Sequence, residues 1–171
     1  MTVEAFKIEV LPFKHKLFRF AKGFLKNIQE SEDIVQEVML RLWTKRNTLA
    51  EYKSIEAFAM TITRNLCLDR MKAKGYRTED LTVIHQQGSN ASPYRTLELD
   101  DTFEKIRLII NTLPEQQRQI IHLRDIEGFE FEEISEIMNL NLNTIRVNLS
   151  RARKRIKETL QNTFDYEFAK N

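Results

Sequence analysis

The chain has 171 residues, 42% of them hydrophobic and 30% charged, with a formal net charge of +2 at pH 7. That balance suits one ordinary domain or two small ones and excludes a disordered chain. A lone cysteine, Cys67, excludes an internal disulfide, and His15, His85 and His122 are spaced like no metal-ligand motif.

Four glycines and three prolines among many Glu, Lys, Leu, Ile and Arg residues predict an all-helical protein. The opening stretch, MTVEAFKIEVLPFKHKLF, carries acids and lacks the apolar segment of a secretory signal. No apolar run approaches the ~20 residues of a membrane span. The expectation is a cytoplasmic protein with no direct membrane insertion. A first helix is expected over residues 3–27, broken or kinked at Pro12. A second opens at Ser31 as N-cap, with Glu32 and Asp33 where the helix dipole favours negative charge, and runs to about Lys45. With Ile34 as reference, Val35, Val38, Met39 and Leu42 form its inward stripe. Asp33, Gln36, Glu37 and Leu40 lie opposite, an apolar centre with a polar rim, as a protein-docking face has. The third helix has Ser54 as cap and continues towards Lys74.

The stretch GYRTEDLTVIHQQGSNASPYRTLELDD breaks the pattern, with two glycines, a proline and no sustained period. It reads as an inter-domain linker over 76–99, because structureless loops of that length are uncommon inside compact domains. Beyond it, helices are expected over 100–111, from Pro114 towards Gly128, over 130–138, and from an Asn141 cap onwards. The domains are thus 1–75 and 100–163, with a tail at 164–171.

Charge is segregated along the chain. Up to Lys74 there are fourteen bases against nine acids, while 102–141 has four bases against eight acids. Then 142–157 holds Arg146, Arg151, Arg153, Lys154, Arg155 and Lys157 and no acid. Solvated helices usually mix signs at i,i+4; this one does not. On a wheel, Ile145, Leu149, Ala152, Ile156 and Leu160 fall within about 80° of arc. Asn143, Val147, Ser150, Arg151 and Lys154, flanked by Arg146, face away. A short amphipathic helix (FEFEEISEIM) precedes it, across a turn at Asn139, a residue tolerant of positive φ. Short helix, tight turn and longer basic helix make a helix-turn-helix, whose second helix lies in a major groove.

Two stretches resemble a known family. LPEQQRQIIHLRDIEGFEFEEISEIMNLNLNTIRVNLSRARKRIKETL is similar to the promoter-binding C-terminal domain of bacterial sigma factors, in the extracytoplasmic-function branch of the sigma-70 family. The matching positions are Leu113-Pro114, Gly128, Glu132-Glu133-Ile134, Asn143 to Arg146 and Leu149 to Arg153. The resemblance implies that this domain reads the −35 element with Asn143, Arg146, Val147, Ser150, Arg151 and Lys154. Glu130 departs from the family's frequent Ser or Thr cap, which should weaken that helix start by about 1 kcal/mol. Val147 departs from a common small polar residue. EDIVQEVMLRLW followed by SIEAFAMTITRNLCLDRMK resembles the family's core-binding and promoter-melting region. It implies that Asp33, Gln36, Glu37 and Leu40 face core RNA polymerase. It also implies that Phe58, Arg64, Asn65, Asp69 and Arg70 serve the −10 element, where an extruded base is captured. Phe58 stands at the family's usual Trp position, and Met60 and Thr61 replace a frequent Tyr and Arg.

The resemblance therefore implies an all-α protein of two small helical domains joined by a flexible linker. Its partners are core RNA polymerase, promoter DNA and an anti-sigma factor, with no small-molecule substrate, cofactor or metal. No nucleophile–base pair, phosphate-cradling loop or metal set points to catalysis. The rival from the residues alone is a stand-alone helix-turn-helix regulator that dimerises through its N-terminal half. A DNA-acting enzyme would need clustered carboxylates, and Asp33, Glu37 and Asp69 are not spaced for metal binding.

Overall fold

Pro12 sets the first break in the chain. The computed structural model describes residues 1–75 and 97–168, with side chains described over 1–75 and 102–163. Helix α1 spans Val3–Glu9, with the Thr2 hydroxyl accepting from the Ala5 N–H at 3.1 Å. Pro12 lies in a single 3₁₀ turn, Leu11–Phe13, where its fixed φ and missing N–H are tolerated. Helix α2 follows directly at Lys14–Leu25.

Helix α3 spans Ile28–Thr44, and its cap is not the expected Ser31. Lys26 takes a left-handed conformation at φ 54° and turns the chain. This leaves Asn27 extended, the backbone shape a cap requires, and its Oδ1 accepts from the Glu30 N–H at 3.0 Å. Ser31 is instead buried within the first turns, its hydroxyl donating to the Asn27 carbonyl at 2.6 Å. Helix α4, Ile55–Ala73, starts as expected, with Ser54 Oγ accepting from the Ala57 N–H at 3.1 Å.

The expected linker falls mostly outside the described residues; α5 begins inside its limits, at Leu97–Asn111. Pro114 occupies the N-cap position of α6, Glu115–Ile121, one place before the expected first turn. The helix then widens into a π turn, His122–Ile126, and ends at Gly128, whose φ of 81° suits glycine. Helix α7 is Phe131–Met138, and α8 is Leu142–Phe168, which carries helix into the expected tail.

Helices α2, α3 and α4 pack on one another around Leu17, Phe20, Ile34, Val38, Leu42 and Met60. Helices α6, α7 and α8 do the same around Ile120, Leu123, Ile134, Ile137, Ile145 and Leu149, with α5 against α8. Each such buried apolar side chain stabilises by about 1.5–3 kcal/mol. The two groups meet where α7 lies on α4, so one buried apolar cluster runs through both. All the described elements are helical.

Candidate nucleic-acid interface

The turn between α7 and α8 fixes how α8 is presented. Asn139 is left-handed at φ 52°, as its residue type favours. The Ser135 hydroxyl holds the chain just beyond, donating to the Leu140 carbonyl at 2.5 Å. Asn141 then caps α8, its Oδ1 accepting from the Thr144 N–H at 2.8 Å. The start of α7 is tied as well: the Glu133 carboxylate accepts from the Glu130 N–H at 2.9 Å, and Arg124 bonds the Glu130 carboxylate at 2.9 Å. A glutamate at the cap is thus supported from both sides.

Ile145, Leu149 and Ala152 are buried and Ile156 and Leu160 half-buried, so α8 docks by the narrow stripe the wheel gave. Asn143, Arg146, Val147, Ser150, Arg151 and Lys154 are all exposed. The cations of α8 divide into matched and unmatched. Arg153 forms a fork with Asp125, at 3.0 and 2.6 Å, and this hydrogen bonding raises its pKa. Lys154 lies 3.8 Å from Glu158, a loose surface pair. Arg146 leans over the Phe131 ring at 5.4 Å. Among the described residues no carboxylate pairs with Arg146, Arg151, Arg155 or Lys157. An exposed cationic arc on a capped, rigid helix is what phosphate and base-edge contacts in a major groove require.

On α3 the inward stripe is Ile34, Val35, Val38 and Leu42, with Met39 half-buried. Asp33 and Gln36 are exposed, and Leu40 stands 64% exposed among them. Glu37 is half-buried and ion-paired to Arg41. The four expected docking residues therefore share one outward face.

The five expected −10 residues do not share a face. Phe58, Asn65 and Asp69 lie within about 40° of one another around α4 at 100° per residue; Asn65 and Asp69 are exposed. Phe58 is half-buried, stacked on Tyr52 at 3.8 Å and 22°, with Lys45 Nζ 5.7 Å from its ring centre. Arg64 turns away, towards the C-terminal half, where its Nε donates to Gln119 Oε1 at 2.9 Å. Burial there lowers its pKa. Arg70, half-buried, lies on the other flank. Sequence reasoning missed Tyr52; its signal was an aromatic residue in the turn just ahead of the Ser54 cap, six places before Phe58. It also missed Arg19 and Glu127, which no local period connects.

Glu127 follows the π turn and is buried, with no side-chain exposure. Arg19 of α2 grips its carboxylate at 2.8 and 2.6 Å, and His122 Nε2 lies 3.1 Å away. Burial alone would raise its pKa; the hydrogen bonds and charges of His122 and Arg19 together bring it down to about 2. Cys67, buried in α4, has its thiol pushed up to about 12 by burial. No group of His, Cys, Asp or Glu among the described residues could hold a metal, and no described helix is long and apolar enough to cross a membrane.

Residues 10–76 match the family model for Sigma-70 region 2, and residues 103–156 match that for Sigma-70, region 4. The chain is 28% identical to RNA polymerase sigma-H factor of Pseudomonas aeruginosa, over 92% of this chain and 86% of that protein. It is 26% identical to ECF RNA polymerase sigma factor SigW of Bacillus subtilis, covering 92% and 90% respectively. Among solved structures, the sigma factor RpoE in complex with the anti-sigma factor NepR from Bartonella quintana is similar with a TM-score of 0.75. That match has 28% identity and covers 93% of this chain and 98% of that one. CnrH in complex with the cytosolic domain of CnrY shares the fold at a TM-score of 0.62 and 19% identity, covering 94% and 90%.

Proposed function

We propose a division of labour along this chain, which belongs to the sigma-70 family of RNA polymerase sigma factors, in its extracytoplasmic-function branch. It is a sigma factor: it binds core RNA polymerase, brings it to promoters and takes part in transcription initiation. The observation that carries this reading is the pairing, in order, of a region 2 match on α2–α4 with a region 4 match that ends on the exposed cationic face of α8.

In detail, residues 1–75 form the core- and −10-binding domain, 76–99 the linker and 100–163 the −35-binding domain. Asp33, Gln36, Glu37 and Leu40 dock on core polymerase; their shared outward face, with Leu40 at its centre, supports this. Asn143, Arg146, Val147, Ser150, Arg151 and Lys154 read the −35 element, supported by their exposure on one arc of a capped helix. Phe58, Asn65 and Asp69 meet the −10 strand together, while Arg64 and Arg70 reach it from either side. Phe58 has an apolar ring already stacked on Tyr52, a platform for a further base. The chain catalyses nothing itself; RNA synthesis belongs to its partner. It works in the cytoplasm, and an anti-sigma factor holds it in check; the solved relative at 28% identity is in complex with the anti-sigma factor NepR.

Run-off transcription tests the reading: purified core polymerase with this chain should yield a discrete promoter-dependent transcript, and core alone should not. Tight occupancy of a two-fold operator by the chain alone, with half-sites about 34–36 Å apart, and no transcript with core would identify a stand-alone regulator instead.

A further inference from the structure

Three elements of the C-terminal half meet at the ring of Phe131. Phe131 opens α7, Arg124 comes from the π turn before it, and Arg146 stands early in α8. The Arg124 guanidinium carbon lies 4.8 Å from the ring centre and that of Arg146 lies 5.4 Å away, both within cation–π range. Arg124 is committed elsewhere as well: its Nη1 donates to the Phe129 carbonyl at 2.8 Å and to the Glu130 carboxylate at 2.9 Å. Glu130 thus neutralises the first cation on the ring, and the same ring attracts a second without an uncompensated like charge beside it. Arg146 has no hydrogen bond and no carboxylate among the described residues, so the ring is its one fixed neighbour of opposite polarity.

Burial alone does not explain an aromatic residue at this position. At 100° per residue Phe131 falls within about 60° of Ile134 and Met138 on the inward side of α7, yet it is half-buried where those two are buried. A leucine would cover the same edge of the core. What only a ring adds is a negative face for a cation. A carboxylate would also hold Arg146, but it would occupy the guanidinium N–H donors, as Asp125 does for Arg153. A ring attracts the cation without accepting those bonds, and the five donors stay free for phosphate or base-edge acceptors. Arg151 and Arg155, also exposed on α8, have neither ring nor carboxylate among the described residues.

We propose that Phe131 is a positioning residue for promoter recognition: its ring holds the Arg146 guanidinium in the groove-facing rotamer before DNA arrives. The inference rests on the sigma-factor reading and deepens it, by naming what orients one of the −35-reading side chains. A long arginine side chain loses rotamer freedom when it binds. A cation–π contact at an exposed site biases that choice beforehand, by roughly two- to five-fold in population. Apparent affinity scales with the fraction already competent to bind, so losing the ring should weaken −35 binding by about the same factor while the fold is kept.

Two measurements on the full chain test this. The first is NMR of the arginine Nε–H groups, with Arg146 identified by the signal that Arg146→Lys removes. In the native chain Arg146 should show a ring-current shift and a higher order parameter than Arg151. Phe131→Leu should abolish the shift and bring the order parameter down to that of Arg151, whereas Phe131→Tyr, which keeps the ring, should retain both. The second is equilibrium binding of reconstituted holoenzyme to a promoter duplex that the native holoenzyme selects from a randomised pool. Phe131→Leu should weaken that binding roughly two- to five-fold, Phe131→Tyr should restore it, and Phe131→Leu should cost nothing further in an Arg146→Ala background. An Arg146 as mobile as Arg151 in the native chain overturns the proposal. So does a Phe131→Leu loss of equal size in both backgrounds, which is the mark of a structural role or of a direct DNA contact. If Phe131→Leu lowers helicity, Phe131→Met takes its place, and the native-chain comparison of Arg146 with Arg151 decides in either case. The sigma-factor reading fails separately: no transcript from the native chain with core removes that reading, while the NMR comparison still decides whether the ring holds Arg146.

Discussion

Replacing Arg151 by alanine offers a quantitative check on the cationic face of α8. Arg146, Arg151, Lys154 and Lys157 all fall in the outward arc at about 100° per residue. Only Lys154 has a carboxylate nearby among the described residues, 3.8 Å away and with its own side chain 76% exposed. Four phosphate contacts give a salt slope of about −3.6, at roughly −0.9 for each neutralised phosphate. Arg151→Ala should therefore flatten the slope by about 0.9. If the guanidinium also reaches a base edge, it should cost a further ~1–3 kcal/mol on the matching −35 sequence only. Arg153→Ala is the internal control. Its charge is already met by the two-point bond to Asp125, so removing it should leave the slope nearly unchanged.

The assay is equilibrium binding of reconstituted holoenzyme to a labelled promoter duplex, between about 50 and 200 mM salt. Using holoenzyme keeps every other DNA contact constant, so differences between variants report α8 alone. Equal slopes for the parent and Arg151→Ala would refute the placement of this face on DNA. So would a drop in Arg153→Ala as large as that in Arg151→Ala, because it would mean that the Asp125 pair opens and the division of α8 into matched and unmatched cations is wrong.

Leu40→Asp with Glu37→Lys should weaken association with core polymerase by at least tenfold in a pull-down or anisotropy titration, since the centre of a docking face carries most of its energy; DNA contacts of α8 should be unaffected. Asn141→Ala removes the cap that accepts from Thr144 and should lower the stability of the C-terminal half by about 1 kcal/mol, read by denaturant titration. Acid should act on the Arg19–Glu127 contact between the two halves through Glu127. Its folded pKa, near 2, lies below the ordinary carboxylate value of 4.5, so its contribution is complete above 4.5 and disappears as pH falls towards 2. The parent should thus lose more stability than Glu127→Gln across that window, by on the order of 3 kcal/mol; parallel pH profiles would show that the carboxylate is not held as described.

How much of this could be read in the sequence depended on whether the cause was local. The docking stripe and exposed arc of α8 were legible because both follow from one 3.6-residue period within a contiguous stretch, and the absence of acids there is visible without coordinates. The outward Leu40 on α3 was legible for the same reason. The start of α3 was not: Ser31 and Asn27 are both good caps by residue type, and the choice is made by the left-handed turn at Lys26, a conformation its residue type does not advertise. That the five expected −10 residues do not form one surface was not legible either. Arg64 and Asn65 are neighbours in the chain, yet about 100° of helix rotation sends one towards Gln119 and leaves the other in solvent. The Arg19–Glu127 pair was invisible altogether, since its members are 108 residues apart. Each alone reads as an ordinary surface charge, and only packing reveals that one is buried because the other covers it. The local period of α8 therefore decides which side chains it exposes, while the long-range pairs decide how the two halves pack.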